Sequence, residues 1–194
     1  MFSWERSQWA QAAFDAGRGD VRAHLHVVAS EIAATMNIAP IILFDREIDM
    51  TEITISLAVN NIMMGNRIEP EQADTPAREL QLVLQEEVQN RLGGAAMSSV
   101  RDIVGGLTNE AVYGSGRRTN VDSPRPNYWF TPEGVPTYRQ NSELFADYFS
   151  HSVRRPDDSV AVESLENMRE WLPDHMRYID KIMEEAVSGI GGLR

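Results

Sequence analysis

The stretch YRQNSELFADYFSHSV, from Tyr138 to Val153, decides how the fold is read. At helical spacing Leu144, Phe145, Tyr148 and Phe149 fall on one arc, which predicts an amphipathic helix over 142–153 with that arc facing a core. Glu143, Asp147 and His151 recur at i, i+4 and i+8 and form a stripe on another side. Two carboxylates and an imidazole in one stripe have the donor chemistry for a metal ion or for acid–base work. The plainer reading of the same stripe is a solvated face with a weak Asp–His pair.

Immediately upstream, residues 113–140 form a Gly- and Pro-rich stretch that still carries Tyr128, Trp129 and Phe130. A long loop with such aromatics is expected to be packed, or to serve as a partner contact. Before it, MSSVRDIVGGLTN predicts a short helix broken at Gly105-Gly106. TPARELQLVLQEEVQNRLGG, Thr75 to Gly94, is the clearest helix in the chain. Thr75 is its N-cap, Pro76 sits in the first turn, and Leu80, Leu84, Val88 and Leu92 form the apolar stripe that Gly93-Gly94 ends. IILF, Ile41 to Phe44, is short and apolar, as a buried strand would be. EITISLAV, Glu52 to Val59, reads either as a strand or as the entry to a helix.

At the N-terminal end a helix is expected from Ser3, broken by Gly17-Arg18-Gly19. Asp20 then caps a second helix in which Val21, Leu25, Val28, Ile32 and Met36 recur at helical spacing. On that helix His24 and His26 point nearly opposite ways, so the HxH pair is not read as a chelating pair. Downstream of the opening stretch, a helical hairpin runs from about 159 to 188 and is interrupted at Pro173.

A chain of 194 residues suits one domain with a core of its own. It contains no cysteine, which excludes disulfides, thiolate zinc sites and a cysteine nucleophile. The formal net charge of −11 and the absence of a clustered Lys/Arg surface argue against nucleic acid as a partner. MFSWERSQWAQAAF lacks the basic start and apolar run of a signal peptide, and no stretch approaches the ~20 apolar residues of a membrane span. A soluble protein with no membrane partner is expected.

Two pieces of the second half, NSELFADYFSHSV with SLENMREWLPDHMRYIDKIMEEAV, and MSSVRDIVGGLTNEAVYGSG with NYW, resemble a known family. It is the lethal-factor-like zinc peptidase fold, also found in phage minor-head (Mu F-type) proteins and in toxin-associated zincin-like domains. The resemblance covers about the last half of the chain. It implies a single zincin-like domain: α+β and mainly α, with a small sheet near 41–57 and a C-terminal helical segment. Within it, 1–37 would be N-terminal helices, 38–153 the zincin-like core and 154–194 the C-terminal helices. Carried over, Glu143 stands at the third zinc-ligand position, and Asp102, Tyr128 and Trp129 match upstream landmarks.

The chain departs from that family where the chemistry lies. An H-E-x-x-H helix puts two imidazoles on one metal and a glutamate on its bound water, and no such motif exists here. Two stretches stand as relics: LAVNN, Leu57 to Asn61, and QEEVQ, where Glu86 lies between Gln85 and Gln89. Amide side chains are poor zinc ligands. The expected function is therefore non-catalytic, a pseudoenzyme without cofactor, acting as a structural or binding component of phage or prophage origin. Its partners would be proteins, phage structural proteins among them, and its location the bacterial cytoplasm or the virion. The alternative is a metal-dependent hydrolase with a remodelled site, where Glu143, Asp147 and His151 hold a divalent metal.

Overall fold

The computed structural model describes residues 4–112 and 159–191, together with Thr131, Ala146 and Ser150; side chains are described from residue 11 and up to 184. The architecture is mainly helical, with one two-stranded antiparallel sheet. In order, the elements are α1 (Trp4–Ala33), β1 (Ile41–Leu43), β2 (Arg46–Ile48), α2 (Thr51–Met63), α3 (Pro76–Arg91), α4 (Ser98–Leu107), α5 (Ser159–Trp171) and α6 (Pro173–Gly191). Short 3-10 turns at Pro70–Gln72 and Ala95–Met97 lead into α3 and α4.

Helix α1 is the axis of the molecule. Its 30 residues span about 45 Å at 1.5 Å per residue, and α2, α3, α4, α5 and α6 all pack on it. Val21, Leu25 and Val28 are fully buried there, as their spacing predicts, whereas Ile32 is half-buried and Met36, also half-buried, lies beyond the helix end at Ala33. The expected break at Gly17–Gly19 does not occur, and α1 runs through it. The physical reason lies at Gly17: a Cβ there would sit 3.2 Å from Leu107 Cδ1 and 3.4 Å from His175 Nδ1. Gly17 is a notch that admits α4 and α6, not a helix stop. Likewise α4 continues through Gly105 and Gly106, both buried, and ends only at Leu107.

Helix α3 forms as expected. Thr75 Oγ1 accepts from the Arg78 N–H at 3.4 Å, Pro76 opens the helix, and Leu80, Leu84, Val88 and Leu92 are all fully buried. The ambiguous EITISLAV is helical, part of α2, with Thr54, Ile55, Ala58, Val59, Ile62 and Met63 inward. The sheet is consequently confined to 41–48 and does not reach 57. The C-terminal pair α5 and α6 meets at Pro173, where proline occupies a first helical position and its missing N–H costs nothing.

One core joins these elements, from Ala13 and Phe14 in α1 to Trp171, Met176 and Ile179 in α5 and α6. The IILF segment is a strand but not a buried one: Ile42 is 70% exposed and Phe44 is 90% exposed. A strand is buried only when other elements cover it, and among the described elements the hairpin's main contacts are between its own two strands.

Candidate functional site

The stretches LAVNN and QEEVQ, expected as relics of a zinc site, are linked through side-chain amides. Asn61 Nδ2 donates to Gln81 Oε1 at 3.2 Å, and Gln81 Nε2 donates to Asn66 O at 2.6 Å and to Gln85 Oε1 at 3.2 Å. Gln85 closes the chain on the backbone of Ile68, accepting its N–H and donating to its carbonyl, each at 3.1 Å. Both ends of the Gln85 amide are thus used, as a neighbouring strand would use them, to pin the α2–α3 connection. Glu86 is exposed and Gln89 half-buried on the same helix, and Asp102 is exposed on α4. No three His, Asp or Glu side chains cluster to hold a metal among the described residues. Among the described residues this network is built of amides, with Gln85 committed to the Ile68 backbone and no histidine hydrogen-bonded to it, and amides are poor zinc ligands beside imidazole.

Glu143, Asp147 and His151 lie outside the described residues, as do Tyr128, Trp129 and Phe130. Within the predicted helix 142–153, the described Ala146 and Ser150 are helical and exposed. The HxH pair is on α1, with its two rings engaged separately. His24 stacks on Trp171 with ring centroids 3.7 Å apart, and His26 Nε2 meets Glu52 Oε1 at 3.0 Å. Burial lowers the His24 pKa, and the Arg91 charge lowers it further.

Asp20 and His175 form a buried polar contact that the sequence reading did not single out. The residue before α6, Leu172, has no side-chain oxygen to cap it. Asp20 Oδ2 supplies the acceptor from α1, taking the His175 N–H at 2.9 Å, 155 residues away in sequence. His175 Nδ1 lies 2.8 Å from the Ala13 carbonyl, which can only accept, so Nδ1 carries the proton. Its Nε2 is buried without a hydrogen-bond partner. Burial pushes the His175 pKa down, so the ring is neutral. Burial also raises the Asp20 carboxyl, against the opposing pull of the His175 N–H and the Arg177 charge. This contact ties α6 to α1, and its place inside the core makes it structural.

Among the described residues the most exposed large apolar side chain, Phe44, lies on the hairpin. Leu43 pairs with Arg46, Ile42 with Glu47 and Ile41 with Ile48, leaving Phe44 and Asp45 as a two-residue turn. Both turn residues have left-handed backbone, φ 50° and 59°. Such a type I′ turn favours Asn and Gly, and a bulky aromatic there costs about 1–2 kcal/mol. Beyond the hairpin, Ile53, Leu57 and Met64 of the α2 region are 45%, 50% and 74% exposed. They share one side of the helix, within about 40° of each other. The sequence reading placed IILF in the core, because an apolar run carries no signal of whether other elements will cover it.

No family model, curated protein or solved structure matches the chain. Among the described residues no helix is long and apolar enough to cross a membrane.

Proposed function

We propose that the protein is a non-catalytic binding or structural component whose contact surface is the β1–β2 hairpin and the exposed side of α2. The observation that carries this reading is Phe44: an aromatic side chain, 90% exposed, on a left-handed turn position that disfavours it. A residue that costs stability and packs on nothing is explained by a task outside folding. The amide chain around Gln85 supports the non-catalytic part, because it uses the nearest relic of a zinc helix to hold a loop. From the C-terminal resemblance we infer a phage or prophage setting, virion-associated or toxin-derived, with particle proteins as the partners.

Photo-crosslinking tests this reading. Phe44→p-benzoylphenylalanine, in cells that make the protein, is expected to give a discrete protein adduct, whereas the same probe at Val162, exposed on α5, gives none. Absence of an adduct at position 44, or equal labelling at both positions, overturns it.

A further inference from the structure

The hairpin is apolar in its side chains and acidic in its charges. From Ile41 to Glu52 the chain carries four carboxylates, Asp45, Glu47, Asp49 and Glu52, and one guanidinium, Arg46. Glu52 is engaged by His26, and Asp49 accepts the Thr51 N–H at 2.9 Å. Asp45 and Glu47 have no ion-pair partner among the described residues and are exposed beside the apolar side chains. Glu47 lies directly opposite Ile42 in the register, so an apolar and an acidic side chain share one face of the ribbon. Among the described residues no third strand pairs with either strand, and the strand residues are exposed or half-exposed.

Resting on the reading above, we infer that the hairpin docks an extended segment of another protein in which apolar residues alternate with lysine or arginine. The open strand edge supplies backbone pairing, Ile42 and Phe44 supply apolar contact, and Asp45 and Glu47 select basic side chains. A second copy of this chain fits worse: it would bring acidic hairpin against acidic hairpin, on molecules of net charge −11. An anionic lipid surface meets the same repulsion.

The test selects binders from a surface-displayed library of random peptides on the wild-type protein and then measures each winner on an Ile42→Ser/Phe44→Asn variant. The expected winners are apolar and rich in Lys/Arg. They lose about tenfold in affinity on Ile42→Ser/Phe44→Asn, and about tenfold on Asp45→Lys/Glu47→Lys. The charge-matched Glu163→Lys/Glu166→Lys variant on α5 leaves their affinity unchanged. Hairpin-dependent winners with no basic bias overturn this inference and leave the binding role standing. So does hairpin-dependent self-association in light scattering, or hairpin-dependent binding to neutral phosphatidylcholine vesicles. Winners that bind Ile42→Ser/Phe44→Asn and wild-type protein equally remove the hairpin as a docking site and the proposed function with it.

Discussion

At the scale of single residues, Asp20 and His175 show how one side chain can be read correctly in kind and placed on the wrong partner. Asp20 is an N-cap by residue type, and the sequence reading gave it to the helix that follows it. It instead caps α6, because Gly17 does not break α1 and so no helix begins at Asp20. Spacing in sequence carries no information about a cap supplied from 155 residues away. Replacing Asp20 by Ala removes that acceptor and is expected to cost about 1 kcal/mol in urea unfolding. Asp20→Asn keeps an acceptor without a buried charge and is expected to restore most of the loss. The pH dependence follows from the histidines. Burial holds His24 and His175 below the ordinary histidine range in the folded protein, so the unfolded chain takes up the proton first. Their contribution to stability is complete above about pH 6.5 and is lost as the pH falls below it. Unfolding midpoints are expected to drop from pH 7.5 toward pH 5.5, and less so in His24→Phe, which keeps the stack on Trp171, and in His175→Asn (on the histidine scale of roughly 6.5). A decline as steep in both variants as in the wild type would contradict this assignment. Asp20 acts oppositely and lower: its raised carboxyl favours folding in acid, and that share is lost as the pH rises from the ordinary aspartate range through its folded value.

Among the elements, periodicity was legible wherever a helix has one buried stripe. Helix α3 was read from Thr75 to its C-terminal glycines because cap, proline and four leucine-like positions agree. Glycines misled the reading, since a sequence cannot distinguish a glycine that stops a helix from one that lets another helix approach. Gly17 and Gly19 separate these effects within a single turn of α1. Gly17 faces Leu107 and His175 at close range, whereas a Cβ at Gly19 meets nothing within 4 Å. Gly19→Ala is expected to raise stability by about 0.5–1 kcal/mol through backbone entropy. Gly17→Ala gains the same term but must displace Leu107 and His175, and is expected to be neutral or destabilising in the same denaturation experiment. Identical gains from both would show that α1 and α6 are not in close contact. The amide chain between α2 and α3 is half visible in the sequence: Gln85 and Asn61 lie in the stretches LAVNN and QEEVQ, while Gln81, which joins them, lies in neither. Gln85→Leu strands the N–H and carbonyl of Ile68 and is expected to cost about 2–3 kcal/mol. Gln89→Leu is expected to be nearly neutral; a reversed order would contradict the network.

For the whole molecule, the mainly helical architecture was readable, but the surface that matters was not. Apolar composition alone made IILF look like core, because burial depends on what else the chain can lay over a strand. Here α1 collects the described helices around itself, while Ile42 and Phe44 of the hairpin stay largely exposed. On this reading the hairpin contributes surface and little stability. The decisive comparison is the urea unfolding midpoint of Ile42→Ser/Phe44→Asn beside that of Leu84→Ala. Leu84 is fully buried, and its truncation is expected to cost about 2–5 kcal/mol. The hairpin double variant is expected to match the wild type within about 0.5 kcal/mol or to exceed it, since Asn suits the left-handed turn better than Phe. A loss approaching that of Leu84→Ala would place Ile42 and Phe44 in the folded core and contradict the claim.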